Sequence, residues 1–152
     1  RKFFCYTRPQ FSWGWEMAKK FFHGAHNMEH ETNSRFHDIL KKKMDEYVHC
    51  VYKITKNFPR EELFGVTSQI RRASLSVILN YIEGYARKKS ENCKVYRNFL
   101  ETSYGSLKES KYLLHFSLVE KYLIKEDYNK AWSLSEEIGA MLWTTIQGIN
   151  KK

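Results

Sequence analysis

The sequence predicts an all-α protein, an up-down-up-down antiparallel four-helix bundle with short loops. Four long segments repeat apolar residues at intervals of three and four, the spacing that lines up one face of an α-helix. The breaks between them are brief, around Pro59 and Gly65, around Lys89 and Ser90, and over 121–125, so consecutive helices are expected to be antiparallel neighbours. Aromatic residues make up 16% of the chain, which argues for a packed core rather than disorder.

Two domains' worth of pattern is visible, a poorly patterned extension over 1–34 and the bundle over 35–152. Arg1 to Ser34 has many aromatics without sustained helical or strand period, although Met17 to His23 suits a turn or two of helix. Met28 stands just before the chain turns regular and reads as a natural start, with leader or appended sequence before it. The rival reading is an arm that packs through Phe11, Trp13 and Trp15. His26 and His30 have a spacing that on a helix holds metals, but the segment lacks helical pattern, and exposed histidines are the expectation.

Helix one begins near Asn33 or Ser34, either of which can cap it. Phe36, Leu40, Met44, Tyr47, Val51, Ile54 and Phe58 form a seam of nearly heptad regularity, suited to shallow-angle packing. Pro59 ends the helix by disfavouring helical geometry at Phe58. Arg60 to Gly65 makes the corner.

Helix two covers Thr67 to Arg87, with Val66, Ile70, Ala73, Val77, Tyr81 and Gly84 on one face. Its small residues, Ala73 and Gly84, allow a neighbouring helix to come close. The basic end at Arg87, Lys88 and Lys89 opposes the negative end of the helix dipole.

Helix three starts after Ser90, a good N-cap, with Glu91 in the first turn. Tyr96, Leu100, Ser103, Leu107, Ser110, Leu114 and Leu118 form one stripe. Val95, Phe99, Thr102, Ser106, Leu113 and Phe116 form a second beside it. Gly105 in mid-helix costs up to about 1 kcal/mol relative to alanine, so Gly105 and Ser106 are the expected helix crossing point. Glu109 is expected near the buried seam, with Arg71 or Arg72 as its partner. Helix four runs from about Glu126 to Gln147. Tyr128, Ala131, Leu134, Ile138, Met141, Leu142, Thr145 and Ile149 are its core stripe, and Trp132 and Trp143 lie toward its edges.

Helix two also carries a resemblance. Phe58, Pro59, Glu61, Phe64, Gly65, Thr67, Ser68, Gln69, Arg71, Arg72, Ala73, Ser76, Asn80, Glu83, Gly84 and Arg87 form one block. Phe99, Leu100, Gly105, Ser106, Leu107 and Glu109 form a second. Together they resemble the signature of four-helix-bundle proteins encoded in intervening sequences of bacterial large-subunit ribosomal RNA genes. That family is distantly similar to the accessory protein of diversity-generating retroelements. One departure is Ile78, where the family usually has a proline, so a kink there is weaker or absent. The resemblance implies a homo-oligomer, a pentamer, and a partner that is nucleic acid, ribosomal RNA among the candidates. A reverse transcriptase docked as a protein partner is the alternative.

The residues themselves favour binding over chemistry. There is no phosphate loop, nucleophile elbow, metalloprotease pattern or dinucleotide fingerprint. A di-iron bundle is not expected, since His37, His49 and His115 are the bundle's only histidines. Hence no enzyme, no catalytic residue, no cofactor and no metal are expected. The 26 basic and 17 acidic residues leave a net charge of +9, which favours anionic partners such as RNA or DNA. Arg71, Arg72, Arg87, Lys88, Lys89, Lys94 and Arg97 are grouped around the junction of helices two and three, with Tyr85 and Tyr96 among them. They are the candidate nucleic-acid-binding residues: cations neutralise phosphates and aromatics stack on unpaired bases. A plain helix-end role for the same cluster is equally consistent with the sequence. Cys5, Cys50 and Cys93 are odd in number and widely spaced, which fits a reducing, cytoplasmic setting with at least one free thiol. No apolar run is long enough for a membrane helix, and no signal peptide is expected.

Overall fold

The computed structural model describes residues 35–88 and 93–149. The readings of Arg1 to Ser34, including Met28, the histidine pair and the aromatic arm, lie outside the described residues, as do Lys89, Ser90 and Glu91. Packing divides the chain at Asp38 into two units, Arg1–Asp38 and Ile39–Lys152. The described part of the first is the helical stretch 35–38; the second holds the bundle.

Helix α1 covers 35–54. From Leu40 its seam is buried as the spacing requires: Leu40, Met44, Tyr47, Val51, Ile54 and Phe58 all lie in the core. The helix tightens into a 3-10 turn at Thr55–Asn57. Phe58 is extended, with ψ 153°, because Pro59 follows it. A second 3-10 turn, Arg60–Glu62, completes the corner. The Glu62 carboxylate accepts from the Val66 backbone N–H at 3.0 Å. It thereby satisfies a donor that the start of the next helix would leave open.

Helix α2, Val66–Arg87, is α-helical throughout, Ile78 included, and buries Ile70, Ala73, Val77, Ile78, Tyr81 and Gly84. Helix α3, Cys93–Val119, runs antiparallel to it. Arg72 meets Glu109, Ser76 meets Ser106, and the Ser103 hydroxyl donates to the Val77 carbonyl at 2.6 Å. Helix α4, Lys125–Ile149, returns along α3, with Lys111 on Glu136 and Tyr104 on Trp143. Lys43 of α1 reaches Glu137 of α4 and closes the four-helix ring. Across its diagonal the Tyr47 and Ser110 hydroxyls share a buried hydrogen bond of 2.7 Å. No described residue is in a strand.

The α3–α4 connection is a Schellman motif. The Tyr122 N–H bonds the Ser117 carbonyl at 2.9 Å and the Lys121 N–H bonds that of Leu118 at 3.1 Å. Lys121 takes the left-handed position, φ 61°, that glycine usually fills.

Four expectations need correction. Gly105 is not the crossing point, because nothing stands within 4 Å of where its Cβ would be. The close approach is at Gly84, where a Cβ would meet the Phe99 Cβ at 2.7 Å and the Tyr96 ring at 3.3 Å. Glu109 is not buried; it pairs with Arg72 at 3.3 Å, and about half of its side chain is exposed. The first stripe of α3 drifts from Leu118 to Ser117 at its last turn, as an ideal helix drifts against a strict heptad. The α4 core is Ala131, Ser135, Ile138, Leu142 and Ile146, and of the expected stripe Tyr128, Leu134, Met141, Thr145 and Ile149 are only half-buried. Three of the buried α3 positions are serines seven residues apart, Ser103, Ser110 and Ser117, each without solvent exposure. Cys50 is a free, half-buried thiol.

Candidate nucleic-acid interface

The interface begins with Gly84. Its missing side chain lets the start of α3 approach the end of α2, and this brings basic residues of both helices to one tip. Arg87, Lys88 and Lys94 are exposed there, and Arg97 is half-buried. The Lys88 ammonium stands 5.6 Å from the centroids of both the Tyr85 and the Tyr96 rings. Cation–π attraction at that range orients the lysine along the aromatic surface. Tyr85 stacks on Tyr81 at 6.3 Å and an interplanar angle of 19°, and 43% of it remains exposed. Tyr96 is buried, and its hydroxyl finds no partner among the described residues. Burial pushes its phenol up to about 12.

Two of the cations carry ion pairs on their own helices. Arg87 reaches Glu83, with Nε donating at 2.6 Å, and its guanidinium lies 5.2 Å from the Phe99 ring centroid. Arg97 Nε donates to Glu101 at 2.7 Å. Such half-exposed pairs contribute about 0.3–0.5 kcal/mol each. A phosphate exchanging for either carboxylate therefore gives up little.

Arg71 and Arg72 do not share this tip. They stand near the opposite end of α2, about 24 Å along the axis from Arg87. Arg71 donates from Nε to the Thr55 hydroxyl at 2.8 Å and lies 5.1 Å over the Tyr52 ring, which ties α2 to the end of α1. Arg72 is divided between Gln69 and Glu109. Of the seven residues singled out in the sequence, Arg87, Lys88, Lys94 and Arg97 are brought together, and Lys89 lies outside the described residues.

The sequence reading also passed over a spacing on α1. Glu46 and His49 form a Glu-x-x-His pair, the unit from which di-iron bundles are built. Glu46 is exposed, as is 77% of the His49 side chain, whose Nε2 sits 3.7 Å from Asp45. Both point away from the bundle interior where such centres are held. Among the described residues no group of three His, Cys, Asp or Glu side chains is placed to hold a metal. No described helix is long and apolar enough to cross a membrane.

A second feature that the sequence reading missed lies between α3 and α4. Lys111 is buried, paired with Glu136, with its ammonium 4.0 Å from the Trp132 ring centroid. Beside it, Tyr104 and Trp143 meet with centroids 5.6 Å apart, and Lys108 stands 5.0 Å over the Tyr104 ring. Its signal was the recurrence of Tyr104, Lys108 and Lys111 on one face of α3.

The family model described as 23S rRNA-intervening sequence protein matches residues 37–144, which span all four helices and the basic tip. The chain belongs to that family. Among solved structures, the chain is similar to a protein of unknown function from the S23 ribosomal protein family of Bacteroides thetaiotaomicron. The two are 23% identical with a TM-score of 0.65, over 74% of this chain and 98% of the other, a likeness of fold. No curated protein matches the chain.

Proposed function

We propose that this bundle is a non-enzymatic, homo-oligomeric protein that binds nucleic acid, RNA before DNA, through the tip where α2 meets α3. The observation that carries the reading is the joining of four cations from two helices around an exposed tyrosine. Cations there neutralise phosphates, and the Tyr85 face is offered to an unpaired base. Ribosomal RNA is a natural candidate, given what the family's name describes.

The test is fluorescence anisotropy with a labelled single-stranded RNA of twelve nucleotides across about 50–200 mM salt. Each phosphate neutralised contributes about −0.7 to the log–log salt slope for single strands. Four cations therefore give a slope of about −3, and the Lys88→Glu, Lys94→Glu double variant at least halves it. Absence of binding at 50 mM salt removes the reading.

A docking role toward protein is the second reading. It is favoured by an apolar groove on α2 and α3, where Leu79 and Ile82 are 58% and 42% exposed beside Phe99. The same groove suits a second copy of the chain, in a pentamer. Light scattering that returns the 18.3 kDa mass of one chain would remove the homo-oligomer. A reverse transcriptase co-purifying from the native host would move the assignment to an accessory subunit.

A further inference from the structure

We infer that the cleft between α3 and α4 is a stacking pocket for one unpaired nucleobase of a bound strand, with Trp143 as the platform and Lys108 as the phosphate contact. This rests on the nucleic-acid reading above but concerns a different face of the bundle. The cleft has a volume of about 230 Å3, below the roughly 300–1,000 Å3 of pockets for drug-sized ligands. It suits a single flat ring.

Its walls have the chemistry for such a ring. Trp143 is 51% exposed, unusual for the residue with the largest apolar surface. Tyr104 packs against it tilted, at an interplanar angle of 38°, so the indole is held while part of its surface stays uncovered. A purchase of this kind serves every base, because every base has a π-face. Gly139 keeps the floor open. A Cβ there would stand 3.5 Å from Leu107 and 3.9 Å from the Tyr104 ring, filling part of the cleft without a clash.

The charges sort themselves around the ring. Glu136 would repel a phosphate, but Lys111 is paired with it. Lys111 is itself held against the Trp132 ring with little of its side chain exposed. That leaves Lys108, exposed at the mouth over Tyr104, where it feels the Glu136 charge but forms no ion pair of its own among the described residues. A base stacked on Trp143 carries its phosphate on the strand outside, where Lys108 stands.

The experiment compares two labelled twelve-nucleotide probes in low salt, oligouridylate and an abasic strand with the same number of phosphates. The proteins are the wild type, Trp143→Ala, Gly139→Leu, and the tip variant Lys88→Glu, Lys94→Glu. Loss of one stacked base weakens binding by roughly 5- to 150-fold. Trp143→Ala and Gly139→Leu should each weaken oligouridylate by that factor while leaving the abasic strand and the salt slope unchanged. The tip variant should weaken both probes alike. Should Trp143→Ala lose helical circular dichroism, Gly139→Leu decides, since it fills the cleft and favours the helix. Unchanged oligouridylate affinity in the cleft variants overturns the pocket and leaves the tip standing. Failure of the wild type to bind either probe overturns both.

Discussion

Replacing Gly84 by alanine tests the packing on which the basic tip depends. The added Cβ would stand 2.7 Å from the Phe99 Cβ, against 3.4 Å or more in ordinary contact. The Phe99 Cβ is fixed to its backbone and cannot swing away, so α3 must retreat by about 0.7 Å. Overpacking of this kind costs about 1–3 kcal/mol. Alanine's better helix propensity returns up to about 1 kcal/mol, leaving a net loss of about 1 kcal/mol. For a chain of this length that lowers Tm by about 2–4 °C. Gly105→Ala is the matched control, since nothing lies within 4 Å of its Cβ position. It should gain about 0.5–1 kcal/mol. Urea unfolding followed by circular dichroism measures both. A Gly84→Ala protein as stable as the wild type, or the same sign at both glycines, refutes the reasoning.

Three further outcomes are expected. Tyr47→Phe and Ser110→Ala should each destabilise by about 1–2 kcal/mol, and a double-mutant cycle should give a coupling near 1 kcal/mol, because the two hydroxyls share one buried bond. Lys121→Gly should raise the free energy of unfolding, read from urea titration, by up to about 1 kcal/mol, by relieving the left-handed backbone of a residue with a Cβ. The hydrogen bond from Lys111, the largest cause, holds the Glu136 carboxyl below its ordinary 4.5. A depressed carboxyl stabilises above its unfolded value and loses that contribution as pH falls through the folded one. Urea midpoints of wild type and Lys111→Met should therefore converge as pH falls from 5 to 3.

The seam of α1 was legible from Leu40 to Phe58, where every expected member is buried, but not at its start, where Phe36 is half-buried and His37 beside it is buried. Gly84 and Gly105 both sat on helical patterns, and only coordinates separated them. Spacing along one helix says nothing of the distance to the next. Arg71 and Arg72 were drawn into the basic cluster by closeness in sequence, yet a rod that rises 1.5 Å per residue carries them to its other end. Lys111 drew no notice in the sequence because its charge hides a long apolar stem, and that stem is what the α3–α4 contact buries. The aromatic cleft was illegible for a related reason: its walls come from two helices, and the turn between them fixes which faces meet.

The three serines spaced by seven on α3 have a consequence for assembly. Ser103 reaches the Val77 carbonyl on one neighbouring helix and Ser110 the Tyr47 hydroxyl on another. Smooth aliphatic cylinders can slide past each other by a turn and repack with little loss. Here a displacement of about 5.4 Å would break both bonds together and strand the Tyr47 hydroxyl in a dry interior, at about 1–3 kcal/mol. The hydroxyls thus work as detents, giving the helices a single vertical alignment that their greasy surfaces alone would leave open.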